Sequence, residues 1–439
     1  MNPPNLQMSA AQVVLEVVDR GRSLDRALAA AQTPGASRAR MREICYGGCR
    51  HYHYFDGILA RLLSKPIHRA ARVVHFILIN ACHQIEFMRT PEHAAVNESV
   101  GAVAGTRFAW AGGMINGVLR NFLRRRAQLT GDLAEAARVA FPAWLYREIR
   151  AHWPRHFQSI LQASNRKPPL TLRVNRRKIS RGAYLRRLAE SGIAAQPTAD
   201  SALGVTLCEP LPVERIPGFA DGLASVQDEA AQLAPVALGV SAGERVLDGC
   251  AAPGGKTGLL LEAQPAAVVV AVDLPARIEA LHQNLARLGF NAEASPGVEV
   301  IAGDLTDAAA WWDGRRFQRL VLDVPCSGTG VIRRHPDIKH RRRPEDIAQF
   351  AAQQLNLLVK AWPLLDSGGI LLYVTCSILP AENDAVVEQF TDRQPDATAQ
   401  ALDAPPGVAT PFGRQRLPGV HPGDGFYFCQ LKKTAPPGA

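Results

Sequence analysis

No stretch of this chain approaches the ~20 consecutive apolar residues that a membrane-spanning helix needs, so an integral helical membrane protein is excluded. The opening MNPPNLQMSAAQVVLEVVDR also lacks the unbroken apolar core of a secretory signal, because acidic residues interrupt it. A cytoplasmic protein with no membrane partner is the expectation. Cysteines are few and scattered, at 45, 49, 82, 208, 250, 326, 376 and 429. Cys45 and Cys49 are separated by three residues with no second pair at zinc-like spacing, so no metal site is expected. In such a compartment each thiol is by default reduced and packed. Acidic residues are outnumbered, 40 against 50 Lys plus Arg, for a formal charge of +10 and a pI of about 9.4. That balance suits a polyanionic partner, but clustering carries the argument better than the total. Internal repeats and low-complexity tracts are missing, and only the closing KKTAPPGA reads as a disordered tail.

What is present is core material: 47% hydrophobic and 21% charged residues over 439 positions, enough for two or three domains. Residues 1 to about 130 carry helical signals and almost no strand signals. SAAQVVLEVVDRGRSLDRALAAA, with Ser9 as a cap, opens the region, and further helices are predicted near 38–63, 66–88, 93–105 and 113–127. This predicts an all-helical bundle. Residues 131–230 change character, with PLTLRVN and GVTLCE as strands and SRGAYLRRLAESG as a helix ended by Gly192, a small α+β unit. Between Arg166 and Arg187 stand nine Lys or Arg residues and no acid, which points to a phosphate-facing surface.

From 231 to 439, ERVLDGC, AAVVVAVDL, VEVIAGD, RLVLDVPC and GGILLYVTCS each end an apolar run in a polar residue. Helical stretches fall between them, one with Ile278, Leu281, Leu285 and Leu288 on one face, another with Ile347, Ala351, Leu355, Leu358 and Trp362. Strands buried on both faces and joined by helices predict a parallel, Rossmann-like α/β sheet that takes its ligand at the strands' carboxyl ends. DGCAAPGGKT (248–257) follows the first strand but fails the phosphate-loop spacing, since position 250 is Cys and Gly249 stands one place too early. It remains a Gly-rich strand-to-helix loop able to approach a ligand closely. Asp273, Asp304 and Asp323 end the next three strands, and Asp273 lies 25 residues after Asp248, where a carboxylate takes ribose hydroxyls. By spacing alone, NAD and S-adenosylmethionine stay equally open.

DGCAAPGGKT, DVPCSGTG (323–330) and VTCSILPAEN (374–383), in that order, resemble the signature motifs of the RNA cytosine-5 methyltransferases. LRVN (172–175), ASVQDEAAQL (224–233), GVIRRHPDIK (330–339) and DGFYFCQL (424–431) are similar to the bacterial 16S ribosomal RNA methyltransferases of the Sun/Fmu (RsmB) type. VNESV (96–100) and GGMINGVLRNFLRR (112–125) resemble the NusB-like helical domain of that subgroup. The resemblance implies S-adenosylmethionine as cofactor, held by Cys250, Ala251, Ala252, Pro253, Gly254, Gly255 and Lys256. It places Asp273 at the ribose, Asp304 by the adenine and Asp323 near the methyl and the base. Arg277 matches no family arginine by its spacing.

Methylating carbon 5 of cytosine requires a thiolate to add first at carbon 6, and an ordinary thiol of pKa about 8.5 is only a few per cent ionised at pH 7. Strand position alone does not rank Cys326 and Cys376. The resemblance does: the TCS cysteine, Cys376, attacks, and the PCS cysteine, Cys326, helps release the adduct. Cys250 is read as a small packed residue. The basic loop GVIRRHPDIKHRRR (330–343), with six Lys or Arg against Asp337, is expected to grip RNA through Arg333, Arg334, Lys339, Arg341, Arg342 and Arg343. His335 there is read as supporting RNA or packing rather than as a base. Arg173, Arg176, Arg177 and Lys178 complete the expected RNA contacts. The predicted partner is 16S ribosomal RNA, naked or partly assembled, met by a monomer. Rival readings are the same chemistry on transfer RNA and a non-catalytic assembly factor, while the TCS thiol disfavours a DNA enzyme.

Overall fold

A computed structural model of the chain describes residues 5–31, 37–290 and 297–434. The chain divides into two units, Met1–Arg166 with Ile332–Pro344, and Lys167–Val331 with Glu345–Ala439. Among the described residues no helix is long and apolar enough to cross a membrane.

The first unit is helical: α1 (Leu6–Val18), α2 (Leu24–Ala30), α3 (Arg38–Leu62), α4 (Arg72–Phe87), α5 (Glu92–Gly101), α6 (Gly112–Gly131), α7 (Glu135–Arg138), α8 (Ala143–His152) and α9 (Phe157–Asn165). Helix α1 starts earlier than its Ser9 reading, because the Asn5 side chain accepts the N–H groups of Gln7 (2.9 Å) and Met8 (3.3 Å). Helix α4 is buried at every residue from Val73 to Ile85. Within it, Gln84 exchanges amide hydrogen bonds of 2.8 and 2.9 Å with Gln7. Gly47 lets α3 approach α4, since a β-carbon there would lie 1.7 Å from His83 Nε2.

Residues 332–344 belong to this helical unit, and Lys339 among them is a correction to the expected RNA contacts. Lys339 is 2% exposed; its ammonium donates to the carbonyls of Arg50 (3.0 Å) and Ala140 (2.9 Å) and to Asn165 Oδ1 (2.5 Å). Three acceptors use all three N–H bonds, leaving nothing for a phosphate, and burial pulls its pKa far down. Arg341 Nε donates to the Gly21 carbonyl (3.1 Å), and its Nη1 lies 3.2 Å from the buried Asp337. His340 Nε2 is 2.8 Å from the Cys49 carbonyl, and burial lowers its pKa to about 4, so it adds no charge. Basic composition here builds the domain.

The second unit holds two sheets. Four antiparallel strands, β1 (Leu170–Val174), β2 (Ala195–Pro197), β3 (Gly204–Leu207) and β4 (Ala224–Val226), run in the order β2-β3-β1-β4, with helix Arg181–Glu190 packed against them. Ser180 caps that helix at the Ala183 N–H, and Gly192 follows it at φ 71°.

The larger sheet begins with the five parallel strands expected: β5 (Arg245–Asp248), β6 (Val268–Asp273), β7 (Val298–Ala302), β8 (Phe317–Asp323) and β9 (Leu365–Thr375), in the order β7-β6-β5-β8-β9. It then continues antiparallel, so the all-parallel expectation is too narrow. β13 (Phe426–Lys433) pairs with β9, and β10 (Ala397–Gln400), β11 (Val408–Ala409) and β12 (Arg414–Arg416) extend that side. Lys432 and Lys433 of the expected tail close β13, while 435–439 lie outside the described residues. One face of the sheet packs on Leu260, Leu281 and Leu285, the other on Leu358, Trp362 and Phe390. Apolar material on both faces is the reason the parallel strands read as continuous apolar runs. Strand order reverses between β5 and β8, which opens a crevice at their carboxyl ends.

Candidate active site

Asp248 ends β5 and Asp323 ends the neighbouring β8, so the Gly-rich loop and the first cysteine loop leave the sheet side by side. Gly254 takes φ 92°, and a β-carbon there would lie 2.7 Å from Leu281, so only glycine turns the chain into helix Gly255–Ala263. The loop is braced from β6: Asp273 accepts the N–H of Ala252 (2.8 Å) and of Leu274 (2.8 Å) and meets Arg277 at 3.2 Å. Arg277 also donates to the Ala252 carbonyl (2.7 Å). Arg277, unmatched by spacing, thus ties the end of β6 to the loop through a residue four positions before it.

Lys256 is buried and pairs with Asp323. Burial alone would lower its pKa, but Asp323 outweighs that and holds the ammonium above its usual value. Asp248 is fully buried; Thr257 donates to one oxygen (2.7 Å), and the other has no hydrogen-bond partner among the described residues. Burial raises its pKa to about 6. Asp304 is exposed and accepts the N–H (2.8 Å) and hydroxyl (2.7 Å) of Thr306. Cys250 is half-buried and burial pushes its thiol well up, which suits a packed residue. A glycine-opened helix start with acids at the ends of β6, β8 and just beyond β7 fits a cofactor that carries a ribose and a positive charge.

The register of β8 on β9 pairs Asp323 with Val374, so Cys326 and Cys376 emerge three and two residues past one rung. Their sulfurs are 3.2 Å apart and both are free, half-buried thiols. The contact with Cys376, then burial, then the charges of Cys376, Glu382 and Asp323 push Cys326 well above an ordinary thiol.

Residues beyond those expected hold the two loops. Glu382 is fully buried; it accepts the Ser327 N–H (2.7 Å), the Ser327 hydroxyl (2.5 Å) and the Ser377 hydroxyl (2.6 Å). Gln354 donates to Glu382 (3.2 Å) and to the Pro325 carbonyl (2.9 Å), and Tyr373 donates to the Glu382 carbonyl (2.7 Å). The stretch VTCSILPAEN contains Glu382, yet no spacing signals partners at 327 and 354.

Of the expected RNA contacts on the small sheet, Arg176, Arg177 and Lys178 are exposed. Arg177 lies over the Phe290 ring at 4.9 Å, and Lys178 donates to the Asp221 carbonyl (2.7 Å). Arg173 is a correction: its side chain is fully buried, paired with Glu262 at 2.8 Å, and donates to Gln227 (2.7 Å) and the Gly255 carbonyl. In the 332–344 segment Arg343 is exposed, while Arg333, Arg334 and Arg342 are half-buried.

Residues 235–432 match the family described as 16S rRNA methyltransferase RsmB/F. Residues 141–214 match the ferredoxin-like domain of the RsmF/B-like methyltransferases, and 5–124 match the NusB family. Ribosomal RNA small subunit methyltransferase B of Pseudomonas putida is 43% identical over 441 residues, covering 99% of both chains. The chain belongs to the RsmB/F family of 16S ribosomal RNA methyltransferases. The protein of the same name from Vibrio cholerae is 42% identical, covering 98% of each chain. Among solved structures, a methyltransferase homolog from Pyrococcus horikoshii is 29% identical, with TM-score 0.58 over 67% of this chain and 96% of that one. The RsmB/F assignment joins the helical unit, the small sheet and the mixed sheet into one enzyme, a methyltransferase with a NusB-like domain ahead of its catalytic fold.

Proposed function

We propose that this protein transfers a methyl group from S-adenosylmethionine to carbon 5 of a cytosine in 16S ribosomal RNA, with Cys376 as nucleophile. The observation that carries the reading is the pair of free sulfurs 3.2 Å apart at the ends of β8 and β9, beside the Lys256–Asp323 pair. The loop 250–256 with Asp273, Asp304 and Asp323 would hold the cofactor. When bound, the cofactor supplies an electrophilic methyl on a sulfonium.

The Cys376 thiolate adds to carbon 6 of the extruded base, and the electrons of the broken double bond make carbon 5 nucleophilic. Carbon 5 gains the methyl, a base removes its proton, and the thiolate leaves as the double bond re-forms. Cys326 takes part at that last stage. Once Cys376 is bonded to carbon, it no longer carries the charge that held the Cys326 proton, so Cys326 ionises more easily when a base is needed. Arg176, Arg177, Lys178, Arg333, Arg334, Arg342 and Arg343 remain the candidate phosphate contacts, each adding ~0.7 to the slope of log affinity against log salt on single-stranded RNA.

The test is to express Cys326→Ala and Cys376→Ala in cells and run denaturing gels with and without ribonuclease. Cys326→Ala is expected to carry a ribonuclease-sensitive RNA adduct, and sequencing that RNA identifies the target base. Trapping by Cys376→Ala alone reverses the assigned roles.

A further inference from the structure

The chemistry above uses two thiols of the same kind, and nothing in it says why one attacks and the other waits. Glu382 is the buried charged group that touches both sides of this choice. Its carboxylate takes hydrogen bonds from Ser327, the residue after Cys326, and from Ser377, the residue after Cys376. Thr329 closes the same cluster, 3.1 Å from the Ser377 hydroxyl, and accepts the Ile378 N–H (3.0 Å). All four side-chain bonds to Glu382 are donated by its neighbours, so both of its oxygens are used as acceptors.

We propose that Glu382 is a positioning residue that assigns the two thiols their roles, setting the spacing of their loops and placing its negative charge on the Cys326 side of the pair. The proposal rests on the reading that Cys376 is the nucleophile. The charged and titratable groups around the pair are unevenly arranged. Cys326 faces Cys376, Glu382 and Asp323, and the Tyr373 hydroxyl lies beside it. Lys256 pairs with Asp323, and charge on Cys376 stabilises its ammonium. A negative charge at Cys326 is thus opposed by Cys376, Glu382 and Asp323. The serine hydroxyls, bonded to Glu382, have no part in carrying charge; they transmit its position to the two backbones.

The test needs neither RNA nor cofactor. The purified full-length protein is treated with iodoacetamide across pH 6–9, and alkylation rates at Cys326 and Cys376 are read separately by peptide mass spectrometry. In the wild type Cys376 is expected to react at least tenfold faster than Cys326 at pH 7. Glu382→Gln is expected to shrink that ratio severalfold, with the Cys326 profile moving to lower pH. Glu382→Asp keeps the charge but withdraws it by one methylene, and should give an intermediate ratio; it carries the test if the Gln variant does not fold. Should both cysteines speed up together in both variants, with the ratio unchanged, Glu382 merely supports the loops and the proposal fails. A wild type in which Cys326 is the faster thiol would instead overturn the nucleophile assignment itself.

Discussion

Arg173 offers the sharpest test of how charge is used here, because it was expected at a phosphate and stands in a dry ion pair. Its guanidinium and the Glu262 carboxylate are fully buried, 2.8 Å apart, and Arg173 also holds Gln227 and the Gly255 carbonyl. Replacing it by Met leaves a carboxylate buried without its partner, which costs about 3–5 kcal/mol. Arg173→Met with Glu262→Leu removes both charges, and such a swap for apolar residues of similar size is close to neutral. A double-mutant cycle should thus return a coupling of at least about 3 kcal/mol, larger than the ~0.5 kcal/mol within which distant sites add. Since the protein has two units, the stability should be read locally, by hydrogen exchange of peptides covering 170–174 and 255–263. RNA binding measured against salt should keep its wild-type slope in the double variant. If Arg173→Met instead costs less than about 1 kcal/mol and lowers the salt slope by ~0.7, Arg173 meets phosphate and the argument for its burial is wrong.

Two further outcomes follow from the site. A β-carbon at Gly330 would lie 2.2 Å from the Gly425 carbonyl and 2.8 Å from that of Cys376, so Gly330→Ala must displace the backbone around Gly425 and Cys376. A shift near 1 Å predicts about a hundredfold loss of turnover with cofactor affinity unchanged by calorimetry; wild-type turnover would count against the loop geometry. Asp248 is raised from 3.8 to about 6 by burial, so folding takes up a proton there, and its contribution is fully present below the unfolded value and lost as pH rises through the folded one. At ~1.4 kcal/mol per pH unit, the wild type should lose about 2.4 kcal/mol relative to Asp248→Asn between pH 4 and 7, measured by urea unfolding. Parallel stability curves would show that Asp248 is not perturbed.

The parallel strands could be read from the sequence because each is buried on both faces, as Val269–Val272 and Leu320–Leu322 are. The antiparallel extension could not: β11 and β12 have two and three residues, and β13 ends in two lysines. Both thiols were visible because each sits just past a strand end, and adjacency of β8 and β9 converts that into contact. Glu382 was not, since its partners lie 55 and 28 residues away. The basic stretches misled for a related reason. The Lys339 ammonium is taken up by backbone carbonyls, which composition never reveals, and Arg173 is paired with an acid 89 residues distant.

The slot that receives Lys339 also fixes an order of events during synthesis. The carbonyls of Arg50 and Ala140 and the side chain of Asn165 are all made before residue 166, yet the ammonium that fills the space among them is the 339th residue. At roughly 5–20 residues per second, the helices wait about 9–35 s for it on the ribosome. Until then the N-terminal helices carry a polar gap in their interior, and a chain broken off before 339 leaves the gap open. The helical unit is first in the chain but not first to be finished: its last piece arrives only after Cys326 has been made.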